Sequence, residues 1–180
     1  TTGAIAFTGT VTTGSFLSSA STGLTVDTTA PTVSSVAISS ATGAQNSTLN
    51  VGDVVSVTVT MSEATTVTGT PQLTLNVGGT SRVASYASGS GTTGLVFTYT
   101  IQSGDTDANG ISIAANSLAL NGGTLADAAG NAATITHSAV ADNASYLVDT
   151  TAPTVSSVAI SSATGAQNST LNVGDVVSVT

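Results

Sequence analysis

The chain has 180 residues, of which 40% are hydrophobic, enough to close a core, but only 6% are charged, against the usual quarter of a soluble protein. Lysine is absent, Arg82 is the single strong base, and nine acids bring the net charge to -8; nucleic-acid binding, which displaces counterions with clustered Lys and Arg, is excluded, and an anionic membrane surface is disfavoured on the same ground. There is no cysteine, which removes disulfides and thiolate metal sites.

Ser and Thr together fill 61 positions and Gly another 19, a mixture of β-branched strand formers and turn makers. No apolar run reaches membrane-spanning length, and no basic-then-apolar leader opens the sequence. The poverty in Lys and Arg suits an extracellular, protease-exposed setting, with any export signal lying outside this stretch.

Along the chain, residues 1–26 come first. They hardly match 123–147 and are expected to be the C-terminal part of a preceding, diverged unit, or a donor strand, since AIAFTGTV (4–11) has strand character. Val26 to Thr58 then reads VDTTAPTVSSVAISSATGAQNSTLNVGDVVSVT, and Val148 to Thr180 repeats it residue for residue. An identity of this length signals recent tandem duplication and hence an array. The expected organisation is one complete repeat at 27–148, followed at 149–180 by the N-terminal part of the next identical one.

Within the repeat, Thr32–Ser39 is the first predicted strand. In Val54–Met61, Val55, Val57, Val59 and Met61 share one face and Ser56, Thr58 and Thr60 the other, a period of two. Gln72–Val77 turns Leu73, Leu75 and Val77 inward, Ser81–Ala87 is weaker, and Leu95–Ile101 aligns Leu95, Phe97, Tyr99 and Ile101. Ile111–Ile113, Ser117–Leu120, Ala133–Thr136 and Ser145–Val148 complete the set. Gly78-Gly79, Asn109-Gly110, Gly122-Gly123 and Gly130-Asn131 mark turns. Seven to nine short strands without a helical period predict an all-β fold, a two-sheet sandwich. A β-helix would need a repeat of roughly 20 residues, and none is present.

Val-Asp-Thr-Thr-Ala-Pro at 26–31 and 148–153 resembles the junction signature of bacterial immunoglobulin-like repeats, and Asp127-Ala-Ala-Gly-Asn131 resembles their late D-x-A-G-N turn. VTVTMSEATTVTGTPQLTLNVGG (57–79) and GDTDANGISIAANSLALNGG (104–123) are similar to the long-repeat subtype found in giant surface adhesins and large secreted repeat proteins. The resemblance covers 27–180. It implies immunoglobulin-like β-sandwich repeats in a linear array at the bacterial cell surface, in adhesion or biofilm settings.

Candidate chemistry is sparse. His137 is the only histidine; a Ser-His-Asp triad would need it held between a Ser and a carboxylate, and its Thr-rich surroundings favour a surface strand residue. Asp105 and Asp107, the one close carboxylate pair, sit in a polar turn rather than in the cleft that acid–base chemistry requires. Asp105-Thr-Asp107-Ala-Asn109-Gly110 does match the first half of a calcium loop, with oxygen donors alternating with spacers. Position twelve is Asn116 instead of Glu, so it is not an EF-hand.

Topology gives the other acids a meaning. If strands alternate up and down, Glu63, the Asp127 turn and the linker residue Asp27 lie at the pole facing the preceding unit. Asp53, the Asp105–Asn109 turn and Asp149 lie at the opposite pole. Stacked repeats would bring these poles together, and like charges repel. Calcium at the junctions, held by Asp27, Glu63, Asp127, Asp105, Asp107, Asn109 and Asp149, would cancel the repulsion and stiffen the joint, resembling the calcium-rigidified linkers of cadherins and bacterial adhesins. Without Lys or Cys, isopeptide and disulfide braces are impossible. The Thr-x-Thr steps, such as Thr98/Thr100, lack the short repeat of an ice-binding face.

The expected function is therefore structural: an extender or shaft module of a long extracellular repeat protein, with neighbouring repeats or other copies in a filament as partners, no nucleic acid and no membrane insertion. The alternative is a carbohydrate- or ligand-binding sandwich, which three Tyr, three Phe and no Trp disfavour, because sugar platforms rely on aromatic faces. An enzyme is not expected.

Overall fold

The computed structural model describes residues 27–180, which form strands and turns and no helix, and so no helix long and apolar enough to cross a membrane. The expectations placed on residues 1–26 lie outside the described residues. The strands in chain order are β1 (Val33–Thr42), β2 (Thr48–Leu49), β3 (Val54–Thr68), β4 (Gln72–Val77), β5 (Thr80–Ser88), β6 (Thr92–Thr100), β7 (Thr106–Asp107), β8 (Leu118–Ala119), β9 (Thr124–Ala126), β10 (Leu147–Asp149), β11 (Ile160–Thr164) and β12 (Val176–Val179).

The main antiparallel sheet has the order β1-β3-β6-β5-β4-β8, with β9 joined to the far end of β3. A smaller sheet, β2-β10-β7, pairs β10 parallel to β2 and antiparallel to β7. Its Leu49 and Val148 enter the same core as the inward residues of β3, β4 and β6, an arrangement consistent with a β-sandwich. β11 and β12 form a third, two-stranded sheet.

Alternation builds the core. Val55, Val57, Val59 and Met61 of β3 are buried together with Leu73, Leu75 and Val77 of β4 and Leu95, Phe97 and Tyr99 of β6. Register makes them neighbours, Val57 opposite Phe97 and Val55 opposite Tyr99. Tyr86 of β5 meets Phe97 edge to face at 5.8 Å, a favoured geometry for aromatic pairs. The β4–β5 hairpin turns through Gly78 and Gly79, at φ 55° and 85°, the paired positive values of a type I′ turn. A side chain at Gly78 would also collide with the Thr106 carbonyl.

Three departures from expectation matter. β3 does not stop at Met61. Its pairing with β6 slips between Thr60 and Thr65, after which Thr66, Val67 and Thr68 pair with β9. The slip is a bulge-like irregularity, a device that re-aims side chains, and it falls across Glu63. Secondly, Ile111–Ile113 and Ala133–Thr136 form no strands, only isolated bridges such as Asn76↔Ser112, Ile113↔Val140 and Thr32↔Thr134. Ala, Asn and Gly crowd this part of the chain and are poor strand formers. Thirdly, β2, β7 and β9 are two- or three-residue strands, too short to leave a periodic trace.

Arg82 lies in β5, opposite Leu75 of β4. As the sole site for trypsin in the chain, it is expected to stay uncut in the folded protein. Prompt cleavage after Arg82 under native conditions, read by mass spectrometry, would contradict a docked β5.

Candidate functional site

At the leading pole, where the chain enters the repeat, Asp27, Glu63 and Asp127 each offer a carboxylate oxygen, and all three lie within 4.8 Å of one another. It is the one such trio of acids among the described residues. Three elements converge on it: the linker ahead of β1, the slipped stretch of β3, and the turn after β9. Asn131 clamps the linker to the turn. Its backbone N–H donates to Asp127 Oδ1 (2.8 Å), and its Nδ2 donates to Asp127 Oδ2 (2.7 Å) and to the carbonyls of Asp27 (3.1 Å) and Thr29 (3.3 Å). The D-A-A-G-N sequence is thus a side-chain-capped turn that grips the incoming chain.

The electrostatics follow from this packing. Desolvation, then the charges of Asp27 and Asp127, push the Glu63 carboxyl up. Burial also works against charge on Asp127, but the bonds from the Asn131 side chain and the backbone of Asn131, Gly130 and Ala129 outweigh it and hold that carboxyl below its usual range. The trio fits a hard cation in chemistry and span. Calcium takes oxygen ligands at roughly 2.4 Å, so two ligands across one ion are at most about 4.8 Å apart.

The trailing pole is built differently. Asp105, 2% exposed, accepts from Arg82 Nε (2.7 Å) and Nη2 (2.5 Å), the Tyr99 hydroxyl (2.5 Å) and the Gln102 N–H (2.9 Å). Burial opposes its charge, and these bonds outweigh it, so its carboxyl sits below the usual range. Burial first, then the bond to Asp105, pushes Tyr99 up to about 12. The bond to Asp105 raises the pKa of Arg82 as well.

Asp107 accepts from Gly78 N–H on Oδ2 (2.7 Å), and from Gly110 N–H (2.8 Å) and Asn109 N–H (3.2 Å) on Oδ1. Asn109 Nδ2 donates to Asp142. The carboxylate oxygens of Asp105 and Asp107 in the D-x-D-x-N-G turn therefore face protein donors. Asp53 and Asp149 share a shallow depression with Gly43 and Thr48, each capping its own turn by accepting from Asn50 N–H and Thr151 N–H.

His137 is not a surface strand residue. It is buried, and both ring nitrogens serve the backbone: Nε2 accepts from the N–H groups of Ser117 (2.9 Å) and Leu118 (3.3 Å), and Nδ1 lies 2.8 Å from the Ser138 carbonyl, which fixes the neutral tautomer with hydrogen on Nδ1. The ring does for this irregular segment what a neighbouring strand would do. His137→Ala is expected to cost about 2 kcal/mol, because two N–H groups lose their acceptor; an unchanged urea midpoint would refute that role.

Sequence reasoning placed the leading trio at one pole but missed two residues, Asn131 as a clamp and Arg82 as the partner of Asp105. The second had a signal, since a lone strong base among nine acids needs a carboxylate if it is to be held against a sheet. No protein-family model, curated protein or solved structure matches the chain.

Proposed function

We propose that the chain is a shaft module of a long extracellular repeat protein, an adhesin stalk or surface filament made of immunoglobulin-like units, whose joints are short and stiffened by calcium at the leading pole. The reading rests on how the linker is held. At 148–153, Val148 is core of the preceding unit, and Thr150 Oγ1 receives the Gly104 N–H (3.1 Å) and donates to the Asp105 carbonyl (2.9 Å). In the identical stretch at 26–31, the carbonyls of Asp27, Thr29 and Pro31 are taken by Asn131 and by Thr134 N–H of the unit that follows. Superposing the two copies leaves one six-residue linker gripped from both sides, with no slack. A joint without slack transmits orientation from unit to unit, which is what a shaft needs and a ligand-binding module does not.

The test is a polypeptide of two complete repeats. Millimolar calcium is expected to raise its melting temperature by mass action on the folded state and to extend its small-angle scattering profile, and chelator to reverse both. Glu63→Gln with Asp127→Asn should abolish the calcium response. Melting and scattering indifferent to calcium would remove the ion from the proposal, and a flexible two-bead profile in both conditions would remove the shaft.

A further inference from the structure

Two Asn-Gly steps occur in the chain, Asn109-Gly110 and Asn121-Gly122. A glycine carries no side chain to shield the preceding amide carbon from its own backbone nitrogen, so both steps are chemically open to ring closure. The fold treats them in opposite ways. At 109–110 the nitrogen is engaged. The Gly110 N–H donates to Asp107 Oδ1 (2.8 Å), Gly110 is buried, and a side chain in its place would strike the Asn143 carbonyl. The Asn109 N–H donates to the same carboxylate oxygen (3.2 Å), and Asn109 Nδ2 donates to Asp142. Closure here would have to break the Asp107 cap and pull Asn109 away from Asp142.

At 121–122 the nitrogen is free. Asn121 and Gly122 are exposed, with φ of 47° and 77°, the paired positive values of a type I′ turn, here joining β8 to β9. The Gly123 N–H closes the turn on the Leu120 carbonyl (2.8 Å). The Gly122 N–H meets no acceptor among the described residues, and a side chain at Gly122 would enter open space. A single bond of 3.2 Å, from Nδ2 to the Thr70 carbonyl, tethers the Asn121 side chain. The flanking strands hold two and three residues. Rotating this turn far enough to bring the nitrogen onto the amide carbon is therefore a local opening, at the low end of the free-energy range for such events.

We propose that Asn121 is a self-modification site, converted by water alone to aspartate and isoaspartate, while the fold protects Asn109. Hydroxide takes the Gly122 amide proton, and the nitrogen attacks Asn121 Cγ. The Cγ–Nδ2 bond breaks, and the departing nitrogen takes a proton from water and leaves as ammonia, which restores the hydroxide and leaves a five-membered imide. Water then opens the imide. Breaking the new Cγ–N bond gives aspartate; breaking the original peptide bond leaves the chain joined through Cγ, as isoaspartate. One water is consumed and one ammonia released, with no oxidant or reductant. The isoaspartyl product adds a carbon to the main chain where there is no room. A side chain on Gly123 would meet the Thr68 carbonyl at 2.2 Å, and one on Gly69 would meet Gly123 Cα at 2.8 Å. The lengthened turn must lift from 68–69, which loosens β9 on β3. The site depends neither on calcium nor on a shaft role.

The test ages the full chain in mildly alkaline buffer, folded and in concentrated urea, and follows amide loss at each position by mass spectrometry, with electron-based fragmentation to identify isoaspartate. In urea the two Asn-Gly steps are expected to react at similar rates. In the folded chain Asn121 is expected to react at least roughly tenfold faster than Asn109, since only its turn opens locally. Equal rates in the folded chain, faster loss at Asn109, or loss at Asn121 in urea alone would each overturn the proposal. The structural consequence has its own control. Asn121→Asp acquires the same charge on an ordinary backbone, so the isoaspartyl fraction, separated by anion exchange, should show a lower urea midpoint than that variant. Equal midpoints would overturn the loosening of β9.

Discussion

Asp105→Ala is expected to lower the unfolding free energy by about 3 kcal/mol, the range seen when one partner of a buried ion pair is removed. The carboxylate holds Arg82, the Tyr99 hydroxyl and the Gln102 N–H together, and Ala leaves all three without an acceptor. The pH dependence carries the same signature at both ends. Asp105 is held below its ordinary value, so its stabilisation is present above the unfolded value of about 3.9 and is lost as pH falls through the lower folded value. Asp105→Ala should flatten this acid limb. Tyr99 is pushed up to about 12, so its contribution is whole below the unfolded value of about 10 and fades as pH rises toward the folded one. Tyr99→Phe should remove that alkaline loss. Urea midpoints across pH measure both, and an Asp105→Ala protein as stable as its parent at neutral pH would show that the network holds nothing.

That network also marks the limit of what the residues announced. The strands read most easily are those where a half-buried surface enforces strict alternation: Val55 to Met61, Leu73 to Val77 and Leu95 to Tyr99, all of which line the core. From 109 to 146, apart from the short β8 and β9, the chain is held by single bridges and by side chains standing in for strands, as His137 does for Ser117 and Leu118. Such bonds are non-local and leave no period. The continuation of β3 past Met61 was hidden because Ser62 and Glu63 interrupt the apolar rhythm where the register slips. Strand alternation was enough to bring Asp27, Glu63 and Asp127 to one pole. It was not enough to tell which protein donors each carboxylate meets, Arg82 for Asp105, the Gly78 N–H for Asp107 and Asn131 for Asp127, because that depends on which strand or turn lies opposite.

The largest effect expected of a single substitution comes from a pair of positions with identical sequence around them. Val57→Asp places a carboxylate, with no basic partner, where the native side chain is fully buried against Phe97. An unpaired buried charge belongs to the short list of changes that cost about 4 kcal/mol or more, a large fraction of a domain's whole stability of roughly 5–15 kcal/mol. The repeat is expected to lose cooperative unfolding near room temperature. Val179→Asp makes the same chemical change in the same local hairpin, on a side chain that is 62% exposed in a polypeptide of these 180 residues. Surface changes of that kind fall within about 0.5 kcal/mol, and the melting curve of the dilute protein should not move. Because strand propensity, turn chemistry and hairpin register are common to both sites, the difference between the variants isolates burial by β6 and the core behind it. Equal melting of the two, followed by circular dichroism, would mean either that the first hairpin is not docked on β6 or that the second is covered in solution. Repeating the measurement over a range of protein concentrations separates those outcomes, since only cover supplied by another copy depends on concentration.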